Sequence, residues 1–156
     1  MDKDEMIDGL NSLIEINNDR IEGYEKASKE TDDNDLTTLF SSCIRTSEKC
    51  RLELIDEVLL LGGTPAEGTK ISGKFFRAWM DVKAALTGRD RKIVLDSCEH
   101  GEDVALSTYD KVINDFGDVS LSTASSLKSL LMKQRNLIKA DHDRVSSLRD
   151  MERQRT

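Results

Sequence analysis

The sequence predicts an all-α chain built as one bundle of four long helices. Three observations carry that reading. Apolar residues recur at helical spacing, 100° per residue, along four segments of roughly 25 to 30 residues each. Turn formers are scarce, with one proline in 156 residues. Aromatic residues are few as well, four Phe, two Tyr and one Trp, and a β-sandwich or barrel would draw on more of both.

The first segment runs from about Lys3 to Glu30, with Met6, Ile7, Leu10, Leu13, Ile14, Ile21 and Tyr24 on one side. Asp2 or Asp4 can cap its start. The run Thr31-Asp32-Asp33-Asn34-Asp35 breaks it and supplies the next cap. The second segment spans about Asp35 to Leu61 and turns Leu36, Leu39, Phe40, Cys43, Ile44, Leu54, Ile55 and Val58 inward. Gly62-Gly63 and then Pro65 end it, because glycine accepts the left-handed cap conformation and proline cannot continue a helix. A short helix is expected from about Ser72 to Thr87, carrying Phe75, Phe76, Trp79, Val82 and Leu86. The third long helix runs from about Asp90 to Phe116 and the fourth from about Leu121 to Asp150, followed by a polar, frayed tail.

None of the four stripes can be buried alone, and four together can. The short links make two antiparallel hairpins, 3–61 and 90–150. The crossover 62–89 is long enough to travel the length of the bundle. Two hairpins and one long crossover describe the ferritin-like topology. An internal echo fits two related hairpins: Asn17 precedes Tyr24 by seven residues, as Glu102 precedes Tyr109.

Composition narrows the function. Apolar residues make up 37 % and charged residues 34 %, with a net charge of -7. That balance disfavours nucleic acid and anionic membrane surfaces as partners. No stretch approaches the 18 apolar residues of a membrane span, and the acidic start MDKDEMIDG does not read as a signal peptide. Three cysteines, Cys43, Cys50 and Cys98, fit a reduced, cytoplasmic protein with thiols in its core. Charge is uneven: residues 1–35 hold 12 acidic and 4 basic side chains, and residues 128–156 hold 8 basic and 4 acidic. Attraction between the first and last helices, within one bundle or between subunits, is expected from that bias.

A di-iron bundle places carboxylates on all four helices, with Glu-x-x-His on two of them. The inward polar residues here are Asn17 on the first helix, Ser47 and Cys50 on the second, Glu102 on the third, and Gln134 and Asp141 on the fourth. His142 lies at the edge of that stripe, and Glu25 at the edge of the first. No Glu-x-x-His occurs anywhere. The set is too small for two metals. Glu102 reads first as an inward acid satisfied by Asn17, Tyr109 or water, His142 as a boundary residue, and His100 as exposed. A single metal near Glu102, Asp141 or His142, and Cys50 is the alternative. Phe75, Phe76 and Trp79, beside Lys70, Lys74 and Arg77, either pin the crossover across the bundle or form a patch for a second subunit. No phosphate loop, nucleophile elbow or catalytic triad is found.

Several stretches carry a family resemblance: Leu10-Asn11-Ser12-Leu13-Ile14-Glu15 with Gly23-Tyr24, Leu61-Gly62-Gly63-Thr64-Pro65, and Trp79 through Gly88. Gly101-Glu102-Asp103 with Ala105, Leu106 and Tyr109, and Asp141-His142-Asp143-Arg144, add to it. Over roughly residues 4–150 the chain resembles bacterial four-helix-bundle proteins known as a domain of unknown function, within the ferritin-like, rubrerythrin-related superfamily. The resemblance implies the scaffold. Rubrerythrin-like relatives carry a ligand Glu seven before a Tyr on the first and third helices, positions held here by Asn17 and Glu102. Their Glu-x-x-His pairs fall on Ser47 and Cys50, and on Lys139 and His142, where a lysine ammonium opposes a cation.

The sequence therefore reads as a ferritin-like bundle without assigned catalytic, cofactor or metal residues. Its expected role is structural, stress-related or protein-binding, in the cytoplasm, as a homo-oligomer or with a protein partner. The alternative is a divergent metal-binding or oxidoreductase protein with a reduced site around Glu102 and His142.

Overall fold

The structure is a computed structural model, and it describes residues 1–69, 80, 82, 84, 90–117 and 122–155. Four long helices account for nearly all of them: α1 (Lys3–Glu30), α2 (Asn34–Leu60), α3 (Arg91–Phe116) and α4 (Ser122–Arg155). Among the described residues none of these is long and apolar enough to cross a membrane.

Side-chain caps set the helix starts. Asp2 accepts from the Glu5 amide at 2.8 Å, Asp33 from the Asp35 and Leu36 amides, and Asp90 from the Ile93 amide at 3.2 Å. Each satisfies amides that the first turn leaves without a partner. The end of α2 is a Schellman turn: the Gly63 amide donates to the Val58 carbonyl and the Gly62 amide to Leu59, both at 2.9 Å. Gly62 holds φ 82°, where side chains are strained. Gly63 lies so close to α1 that a Cβ there would meet Ile7 at 2.9 Å.

The helices pack as two antiparallel hairpins, α1 with α2 and α3 with α4. Weaker seams join α1 to α3 and α2 to α4, leaving α1 and α4 on one diagonal and α2 and α3 on the other. The crossover leaves α2 near Ile7, at the start of α1. It arrives at Arg91, which pairs with Asp33 and with Asp35 at the start of α2. The connection therefore travels from one pole to the other, as the ferritin-like topology requires. The expected short helix over Ser72–Thr87, with Phe75, Phe76 and Trp79, lies outside the described residues. The exceptions are Met80, Val82 and Ala84, which are helical, with Val82 buried.

The tail departs from expectation. The helix α4 continues to Arg155, and Glu152 pairs with Arg91 Nε at 2.8 Å. That contact docks a segment whose composition alone reads as frayed.

Two apolar clusters fill the interior. One gathers Leu10, Leu13, Ile14, Leu54, Tyr109, Phe116, Leu127 and Leu131 toward one pole. The other gathers Tyr24, Leu39, Phe40, Cys43, Leu95, Cys98 and Val145 toward the other. Between them, halfway along the helices, lies a layer of buried polar side chains.

Candidate functional site

The layer is centred on Arg20. It follows Asn17 by three residues and precedes Tyr24 by four, so all three share the inner face of α1. The Arg20 side chain is wholly buried. Its Nη1 donates to Ser47 Oγ on α2. Its Nη2 donates to Glu102 Oε1 on α3 at 2.7 Å and to Asp141 Oδ2 on α4 at 3.3 Å. One guanidinium thus touches all three other helices. Its carbon also lies 5.7 Å from the centre of the Tyr24 ring, within cation–π reach.

Its partners are held in turn. The Tyr24 hydroxyl donates to Glu102 Oε1, and Arg144 donates to the outer oxygen of Asp141 at 3.2 Å. Burial opposes the charge on Arg20 most strongly, but Glu102, Tyr24 and Cys43 together outweigh it and hold its pKa well above the ordinary value. Burial also pushes the Tyr24 hydroxyl well up.

A second chain of hydrogen bonds runs beside the first. Asn17 Nδ2 donates to the Tyr109 hydroxyl at 2.8 Å, and that hydroxyl donates to Gln134 Oε1 at 2.8 Å. Gln134 Nε2 donates to the Cys50 carbonyl and to Glu53, each at 3.2 Å. The sequence echo thereby closes in space: Tyr24 bonds Glu102, and Tyr109 bonds Asn17. Each hairpin's tyrosine meets the other hairpin's polar residue. Glu102 is inward, as its spacing predicts, but its partners are Arg20 and Tyr24 and not Asn17 or Tyr109.

The ferritin-like fold raises the question of a metal pair on this axis, and the residues do not fit one. Two carboxyl groups face the centre, and a guanidinium is already hydrogen-bonded to both. Asn17, Ser47 and Cys50 stand where further ligands would be needed. Asn17 Oδ1, Glu102 Oε2 and Arg20 Nε have no hydrogen-bond partner among the described residues. Those leftovers are two acceptors and one donor, and an amide oxygen with one carboxylate oxygen beside a fixed guanidinium is not a ligand set for two metals. Cys43, Cys50 and Cys98 are buried free thiols. Burial pushes Cys50 up to about 11 and Cys43 higher still, so neither offers a thiolate near neutral pH.

His142 points the other way. Its Nε2 lies 2.9 Å from Asp103 Oδ1, and its Nδ1 lies 3.2 Å from Asp143 Oδ1. With Glu99, the Asp103 and His142 side chains form a group whose ligand atoms all lie within 4.8 Å of one another. This is the outer face of the α3–α4 hairpin. Glu99 is already engaged there by Arg149 and by Ser146 Oγ at 3.0 Å. Lys139 pairs with Asp143 at 2.6 Å. The pair Glu102 and His142 is thus divided between the inside and the outside of the bundle. His100 is exposed, as its spacing predicts.

Arg20, Glu99 and Asp103 are the residues that sequence reasoning missed. Arg20 falls on the same helical line as Leu13, Asn17, Tyr24 and Ala27, all buried, and that spacing was the available signal. Glu99 and Asp103 sit four apart on α3, an ordinary spacing on a solvated face.

The fold and its polar layer define a ferritin-like four-helix bundle, with an arginine on the axis in place of a ligand set. Residues 5–115 match the family described as Domain of unknown function (DUF2383), and the chain belongs to that family. None of the curated proteins matches the chain.

Proposed function

We propose that this protein is a divergent metal-binding bundle whose cation site lies on the outer face of the α3–α4 hairpin, on Glu99, Asp103 and His142. The observation that supports this most is the convergence of two carboxyl groups and an imidazole, from two helices, within 4.8 Å. Asp143 beside Nδ1 orients the ring and leaves Nε2 toward Asp103, the usual arrangement behind a metal-bound histidine. Nitrogen and oxygen donors suit manganese, ferrous iron or zinc. Three protein ligands leave coordination positions open for water or a small oxygen-bearing ligand, which an oxidoreductase role would use. Arg149 and Ser146 hold Glu99 through Oε2 and compete with an ion for that carboxylate.

Calorimetric titration with Mn²⁺ and Zn²⁺ tests the reading. One ion per chain is expected, with binding lost in His142→Ala and kept in His100→Ala. Absence of stoichiometric binding, or binding that survives His142→Ala, overturns it.

A second reading is favoured by Arg20. A bundle whose axis is closed by its own side chains suits a structural, stress-related or protein-binding scaffold. A chain that takes up no ion in that titration supports the scaffold reading over the metal-binding one.

A further inference from the structure

We propose that the Arg20 guanidinium is a tethered cation filling an oxygen-lined cation site on the bundle axis, and that shortening this one side chain opens the site to a free small cation. The class of ligand is an organic guanidinium or an oxygen-liganded divalent ion. The site is distinct from the outer cluster.

The geometry argues for this in three ways. Acceptors from three helices, Ser47 Oγ, Glu102 Oε1 and Asp141 Oδ2, converge on the two terminal nitrogens of one side chain. Side-chain exposures of 1 % for Arg20, 1 % for Glu102 and 6 % for Asp141 keep solvent from screening them. The acceptors are also fixed from behind: Tyr24 holds Glu102 from α1, and Arg144 holds Asp141 from the surface. Two inward acids so held need a positive charge between them, since a buried charge stripped of its partner is strongly destabilising. Here that charge comes from the first helix. Oxygen donors of this kind suit hard divalent ions, and the guanidinium fork matches carboxylates as a point charge does not.

The test uses the whole chain in a His142→Ala background, so that the outer cluster does not contribute. Arg20→Ala is melted alone, with millimolar methylguanidinium, and with Mn²⁺. The expected result is a fall in Tm of about 10 °C, of which either cation restores at least half. Restoration should vanish when Glu102→Gln and Asp141→Asn are added. If Arg20→Ala does not fold, the yield of folded chain on refolding with and without methylguanidinium is the readout, and an increase is expected.

A second pair separates charge from packing. Arg20→Lys, which keeps the charge without the fork, should be more stable than Arg20→Met, and Arg20→Met should regain stability with Glu102→Gln and Asp141→Asn. Failure of both cations to restore Arg20→Ala, or equal stability of the Lys and Met variants, overturns the proposal. Neither outcome bears on whether the outer cluster binds an ion.

Discussion

Arg20 and Asp141 meet across the diagonal of the bundle, Nη2 to Oδ2 at 3.3 Å, from two helices that share no packed seam. The charge bias of the sequence anticipates attraction between the acidic first helix and the basic last one. The contact that joins them runs the opposite way, with the arginine on α1 and the acid on α4. Buried geometry decides it, because exposed charges contribute little each.

Asp141 has an inner and an outer partner, and the two should differ in weight. Asp141→Ala strands half of a buried pair and should cost about 3 kcal/mol. Arg144→Ala removes a half-exposed partner and should cost under about 1 kcal/mol. Urea denaturation of the two variants checks the ratio. Equal costs would count against a dominant inner contact.

The two echo tyrosines should respond unequally to loss of their hydroxyls. Tyr24→Phe leaves Glu102 Oε1 still held by Arg20, so a loss of about 1 kcal/mol is expected. Tyr109→Phe strands Asn17 Nδ2 from this bond and Gln134 Oε1 together, so about 2 to 3 kcal/mol is expected. Nδ2 of Asn17 keeps its bond to the Leu13 carbonyl at 2.8 Å, which makes the Gln134 oxygen the larger part of that cost.

Asp33 should shape the acid limb of stability. Burial raises its pKa, but the bond from Arg91 and those from the Leu36 and Asp35 amides bring it below the ordinary carboxylate value. Its contribution is therefore present above the unfolded value of about 3.9 and lost as pH falls through the lower folded one. Thermal melts from pH 7 to pH 2 should show Asp33→Asn less stable at neutral pH, with the difference from wild type closing in acid.

The three thiols should react only when the bundle opens. All are buried, and burial raises each above its ordinary pKa, Cys98 well above it. At pH 8 alkylation should follow the unfolding equilibrium and accelerate with urea in step with loss of helical signal. Fast labelling of any one thiol without urea would contradict its burial.

Much of the fold was legible because the stripes are long. On α4 the buried residues Ala124, Leu127, Leu131, Gln134, Ile138, Asp141 and Val145 alternate three and four apart, and such a seam must face its neighbours. Gly62-Gly63 and the aspartate caps fixed boundaries through local chemistry. The pole-to-pole crossover followed from loop length. The centre was less legible. Arginine is placed by default on a solvated face, and only a partner brought from another helix makes its burial tolerable. Glu102 and Asp141 were visible as inward acids, yet nothing local says that Arg20 is what they share. The Glu99, Asp103 and His142 cluster depends on how two helices rotate against each other, which periodicity along either one does not contain.

The ionic layer has one more effect. Apolar seams of this length tolerate sliding by a helical turn, about 5.4 Å, because leucine meets leucine again after the shift. Arg20 finds Ser47, Glu102 and Asp141 in a single alignment, and a displaced alignment leaves four buried polar side chains without these bonds. The layer works as a register pin: it penalises shifted pairings that the apolar seams alone would leave nearly equivalent.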